Sequence, residues 1–151
     1  LISDFSLTLI LFFQIKPLEN LMNKMYLKLK VALLISLRNA ISDHLPVGSS
    51  LVILDILMFV LTEYLHERPL TMKRLLLSLD LSHTGFRYHF KKLVDDNWIN
   101  LSRLTEKNSD QRLRFITPSS KLVTKIVLIS NIMNDQLEEI RKQKETVGLP
   151  N

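Results

Sequence analysis

The 151-residue sequence contains no cysteine. Disulfides, thiol chemistry and cysteine-bound metal are thereby excluded, and a reducing compartment is allowed. Glycine (3) and proline (5) are scarce, which leaves no glycine-rich phosphate loop and argues for a helix-rich chain with short connections. The four histidines, His44, His66, His83 and His89, have no metal-ligand spacing, and no nucleophile motif is present. No metal, no cofactor and no enzymatic activity are expected. Long apolar runs are missing near the start: residues 9–13 fall far short of the ~20 needed to cross a bilayer. Residues 7–15 mimic a signal-peptide core, yet no basic segment precedes them and no small-residue cleavage site follows. A soluble protein is expected. The sequence begins at Leu1 rather than Met, and the expectation is a true N-terminus upstream.

Carboxylates are also in deficit, 15 Asp+Glu against 20 Lys+Arg, for a net charge of +5. The imbalance is local. Residues 66–118 hold ten basic and six acidic side chains, residues 1–65 five of each, and residues 119–151 five and four. The middle third thus carries nearly all of the excess, which suggests a polyanionic partner.

Within that third, SHTGFRYHFKKLVDDNW (82–98) reads as an amphipathic helix. Ser82 suits the N-cap. Phe86, Phe90, Leu93 and Val94 recur at three- and four-residue spacing and share a face that can be buried. Thr84, Arg87, Tyr88 and Lys91 share the opposite face, which carries no carboxylate until Asp95. Taken alone, such a stripe is an ordinary solvated face. Its neighbours change that reading.

In chain order, residues 1–16 are apolar without clear periodicity, and Pro17 predicts a boundary at the first turn of a helix. Leu18, Met22, Met25, Leu29 and Ala32, widened by Tyr26, Leu33 and Leu37, form a seam-like stripe in a helix that ends around His44, before Pro46 and Gly48. Ser49 or Ser50 can cap a second helix, 51–65, apolar nearly all round and so central to a core. Thr71 caps a short helix, 72–79. Asp80 occupies a turn position, and Leu81 links to Ser82. Two helices so joined, the second basic on its outer face, form a helix-turn-helix. Asn97 is a left-handed stop. Residues 98–101 and 112–117 alternate like strands, with Ile99, Leu101, Leu113 and Phe115 as inward candidates, around the polar turn 105–110: a β-hairpin wing. Thr117-Pro118 predicts another capped start, and Leu122, Ile126, Ile129, Met133, Leu137 and Ile140 stripe a last helix running to about Thr146.

The fold class expected is therefore mainly α with a small β-hairpin wing. It divides into an N-terminal segment and dimerisation helix (1–48), a winged helix-turn-helix (49–118) and a C-terminal dimerisation helix with tail (119–151). Long apolar stripes at both ends exceed what one small winged domain can cover, so a homodimer is expected. The alternative is that these helices cover each other within one chain.

Helix, helix, helix-turn-helix, hairpin and helix in this order resemble the multiple-antibiotic-resistance regulator (MarR) family of bacterial winged-helix transcription factors. The similarity covers about residues 18–140 and is carried by LSHTGFRYHFKKLVDDNWI and SDQRLRFITP. Leu81-Ser82, Leu93, Asp110-Gln111-Arg112 and Ile116-Thr117 occupy the family's motif places. Asn97, Asp80 and Ser120 stand where the family commonly has Gly, and Gly85 where it commonly has Thr. Asn and Asp tolerate the backbone needed. Gly85 lets the backbone approach a phosphate at a cost of up to about 1 kcal/mol of helix stability.

With this resemblance, double-stranded DNA is the expected partner, and the protein is expected in the bacterial cytoplasm at the nucleoid. Residues 82–96 would enter the major groove, with Ser82 opening the helix. Arg87 is placed to read a guanine edge, Thr84 a base or thymine methyl, and Tyr88 and Lys91 base or phosphate, with His83 at the helix start. Arg112, held by Asp110 as the resemblance implies, would enter the minor groove beside the wing. Lys73, Arg74, Lys107 and Arg114 are candidate phosphate contacts. His89 is expected to be half-buried and structural. A dimer would favour an inverted repeat. The resemblance also implies a small apolar or aromatic ligand, for which Tyr26, Met58 and Phe59 are candidate lining residues, although such residues are ordinarily core. The competing reading is a winged-helix protein-interaction module that does not bind DNA specifically.

Overall fold

The computed structural model describes residues 2–48, 50–79, 82–103 and 114–147, with the side chains of 2–20, 103 and 147 left out of the description. Among these residues the order is α1 (Ile2–His44), α2 (Leu51–Leu65), α3 (Met72–Leu79), α4 (His83–Asp95), β1 (Ile99–Arg103), β2 (Arg114–Pro118) and α5 (Ser120–Val147). The fold is mainly α with one antiparallel hairpin, a winged helix-turn-helix. It comprises two compact units, residues 1–39 with 131–151 and residues 40–130. No described helix is long and apolar enough to cross a membrane.

The second unit is built around α2. Ile56, Leu57 and Val60 of this helix are wholly buried, as are Leu75 of α3 and Leu122 of α5. Phe86, Phe90 and Leu93 bring α4 onto the same core, and Trp98, Ile99 and Ile116 bring the hairpin. Each such side chain contributes about 1.5–3 kcal/mol by leaving water.

Helix ends follow local chemistry, with several departures from sequence expectation. The helix expected to begin at Pro17 instead runs unbroken from Ile2. Pro17 lies inside this helix, where it forfeits one backbone hydrogen bond without ending it. Ser50 and Ser82 occupy N-cap positions, but neither hydroxyl makes a cap hydrogen bond. Thr71 does cap α3, with the Arg74 N–H donating to its Oγ1 at 3.3 Å. Thr117 and Pro118 were expected to open the last helix and are instead the end of β2. Pro118, lacking an N–H, is tolerated at a strand end, and the helix start passes to Ser119, whose Oγ accepts from the Leu122 N–H at 3.1 Å.

In the hairpin, Ile99 pairs with Pro118, Leu101 with Ile116 and Arg103 with Arg114. The inward residues of β2 are Ile116 and Pro118, one step out of phase with the expected Phe115, which is half-buried, and Leu101 is half-buried as well. Phe115 instead bridges Thr71, and the Ile116 N–H donates to the Leu70 carbonyl at 2.8 Å. That third rung ties the wing to the entry of α3. Leu113, Ser49, Asp80 and Leu81 lie outside the described residues.

Candidate nucleic-acid interface

The faces of α4 separate as the spacing predicts. Phe86, Phe90 and Leu93 are each at most 4% exposed, and the two phenylalanine rings stack with centroids 5.4 Å apart. Ser82, His83, Thr84, Arg87, Tyr88 and Lys91 are all exposed. The apolar face therefore fixes the rotation of the helix, and its polar and basic side chains stand in solvent. His89 is half-buried between the two faces, with the Tyr88 ring edge-on at 5.5 Å. Lys91 donates to Asp95 Oδ2 at 2.7 Å. This hydrogen bond and the carboxylate charge raise the Lys91 pKa, and the pair stays in solvent and open to exchange.

The end of α4 is sharply defined. Asn97 takes φ +58°, the Trp98 N–H donates to the Leu93 carbonyl at 2.8 Å, and the Asn97 N–H donates to Val94 at 3.1 Å. This is a Schellman turn with Asn at the left-handed position and Trp98 as the apolar residue after it. β1 starts directly beyond.

On α3 and β2, Lys73 and Arg114 are exposed. Arg74, a candidate phosphate contact, is exposed and is also paired within the protein. Its Nη2 pairs with the buried Glu63 carboxylate at 2.5 Å, and its Nη1 donates to the Pro69 carbonyl at 3.3 Å. Arg68 shares the same carboxylate at 2.7 Å. Neither Arg68 nor Glu63 was singled out by sequence reasoning, because no local pattern signals an ion pair formed across a turn. Lys121 was also missed. Its Nζ donates to the Asp96 carbonyl at 3.0 Å. Lys107, Asp110 and Arg112 lie outside the described residues.

The candidate ligand residues fall in different units. Tyr26 is half-buried in the first, flanked by the Lys30 and Lys144 ammonium groups at 4.3 and 4.5 Å from its ring. Met58 (36% exposed) and Phe59 (half-buried) lie on α2 in the second. Among the described residues no group of His, Asp and Glu gathers to hold a metal ion.

No protein-family model matches the chain, and no curated protein matches it. Solved structures do. The transcriptional regulator Tm0710 from Thermotoga maritima is 17% identical, with 85% of this chain and 81% of that chain covered and a TM-score of 0.52. MarR from E. coli in its apo form is 14% identical over 80% of this chain and 83% of that chain, with a TM-score of 0.47. A mutant of ZitR from Lactococcus lactis is 20% identical at a TM-score of 0.42, and the match spans 64% of this chain and only 61% of that chain. The likeness to Tm0710 shows the fold, a winged helix-turn-helix of the kind that the sequence resemblance implied.

Proposed function

We infer that this protein is a sequence-specific, double-stranded DNA-binding transcriptional regulator that acts as a homodimer on an inverted-repeat operator. The observation that carries this reading is α4 itself. A buried aromatic face locks its orientation while Thr84, Arg87, Tyr88 and Lys91 are left in solvent. A helix so held and so charged fits the major groove, where Arg87 has the two parallel donors that guanine requires. Arg114 on the hairpin supports the same reading, and Lys107 and Arg112 belong to it by sequence alone.

Pairing of two copies is supported by apolar surface in the first unit. Leu21, Leu27, Leu34 and Ile35 of α1 are each more than half exposed, and Leu137 of α5 is 47% exposed. A second copy would cover them and set two α4 helices about one DNA turn apart. Control by a small apolar or aromatic ligand at Tyr26, Met58 or Phe59 belongs to the same proposal.

Enriching random duplexes on the purified protein tests the reading. An inverted repeat is expected, and Arg87→Ala and Arg112→Ala should each weaken its binding about tenfold to a hundredfold with the fold retained. Unchanged affinity for both at moderate salt would remove the mechanism. Failure to bind any duplex in a salt-dependent way would leave the protein-interaction module.

A further inference from the structure

We propose that Arg68 and Arg74 form a phosphodiester site held in place by Glu63, a positioning residue that itself never meets the ligand; the proposal rests on the DNA-binding reading above. The Glu63 side chain is 4% exposed and takes one guanidinium on each oxygen, while the side chains of Arg68 and Arg74 remain 48% and 42% exposed. The carboxylate is therefore shielded and the guanidinium groups face outward. One buried negative charge against two half-solvated positive ones leaves a surplus of +1 at the surface, and an approaching anion meets the positive ends first.

Glu63 holds Arg68 twice. Arg68 directly follows the left-handed Glu67 (φ +55°) and is the second residue beyond α2's capping His66, and its N–H donates to the Glu63 carbonyl at 2.9 Å. The same residue thus fixes the Arg68 backbone by its carbonyl and the Arg68 side chain by its carboxylate. A guanidinium ordered in advance loses less freedom when a ligand arrives. Glu67, exposed beside Arg68, cancels that surplus. Two further basic residues restore it. Lys73 lies on α3 one residue before Arg74, and the Thr71–Phe115 bridge brings Arg114, the neighbour of Phe115, to the entry of the same helix. Arg68 and Arg74, joined through Glu63, thus form the site, with Lys73 and Arg114 adding positive charge nearby, and its ligand chemistry is an oxyanion with several acceptor oxygens.

The test compares wild type, Arg68→Gln, Arg74→Gln and Glu63→Gln on a duplex selected by the wild-type protein, with affinity measured across a series of salt concentrations. Each lost phosphate contact lowers the slope of log affinity against log salt by about 0.9. Arg68→Gln and Arg74→Gln should each flatten the slope by about one contact. Glu63→Gln should flatten it as well, although it adds a net positive charge. A Glu63 that merely stabilised the fold would leave the slope equal or steeper. If Glu63→Gln fails to fold by circular dichroism, the two arginine variants decide. Wild-type slopes in both arginine variants, beside a steep wild-type dependence, overturn the site. A wild-type protein without salt-dependent duplex binding overturns the DNA-binding reading first, and the site with it.

Discussion

The Lys121 ammonium lies 4.2 Å over the ring of Trp98 while it donates to the Asp96 carbonyl, so one side chain from α5 closes both the end of α4 and the start of β1. Trp98 is 7% exposed and its carbonyl accepts from the Ser119 N–H at 3.2 Å, so the two ends of the hairpin meet at this residue. The junction of α4 and the hairpin depends on it.

Lys121→Met keeps the aliphatic stem and removes the charge and the donor. Loss of a surface cation–π contact and one hydrogen bond should cost about 1 kcal/mol. Urea denaturation measures it; a midpoint equal to wild type with an unchanged m-value would show that the contact contributes nothing.

Gly85 sits in the first turn of α4, where an added Cβ would lie 3.2 Å from Ser82 Oγ. That hydroxyl makes no cap hydrogen bond and can rotate away. Gly85→Ala should therefore raise stability, by up to about 1 kcal/mol from helix propensity. The same methyl would stand between the helix backbone and a phosphate. Affinity for the selected duplex should fall while thermal stability rises, and a gain in both would show that no ligand approaches this backbone.

Glu67 adopts φ +55°, a left-handed conformation that costs a side-chain-bearing residue roughly 1–2 kcal/mol. Glu67→Gly relieves this within the same Schellman turn, where the Glu67 N–H donates to Tyr64 at 3.0 Å. The expected result is a stability gain of about 1 kcal/mol, read as a higher denaturation midpoint at unchanged m-value. A lower midpoint would mean that the Glu67 side chain contributes more than the strain.

The Lys30 ammonium beside the Tyr26 phenol, followed by the Lys144 charge, holds the phenol pKa below the usual 10.0. The folded value is depressed, so this stabilisation is fully present only above pH 10.0 and is lost as pH falls through the lowered value. Near neutrality it contributes nothing. A tyrosinate absorbance titration of the folded protein, with Tyr26 identified by its loss in Tyr26→Phe, should show early ionisation that Lys30→Met moves upward. An unmoved titration in Lys30→Met would separate the two groups.

Much of the second unit was legible because its signals are local. Phe86, Phe90 and Leu93 specify a face of α4 by spacing alone, and Asn97 marks its stop by tolerating a positive φ. The phase of β2 was misread because Phe115 and Ile116 are both apolar, and only the pairing of Leu101 with Ile116 and the bridge to Thr71 decide which turns inward. Thr117-Pro118 carried a helix-start signal that a strand end satisfies equally well. Pro17 carries a boundary signal in sequence, yet the helix continues through it with one N–H donor missing. Arg74 is a candidate phosphate contact by its charge alone, whereas its pairing with Glu63 depends on a turn between α2 and α3 that no periodicity reveals. The proposed contacts of the wing tip, Lys107, Asp110 and Arg112, rest on sequence alone.

The Schellman turn at Asn97 has a mechanical corollary. With two backbone hydrogen bonds spanning it and β1 beginning two residues later, α4 and the hairpin have no slack between them. α4 and the first strand therefore turn as one piece, and a partner that engages both would have to match the spacing they already have.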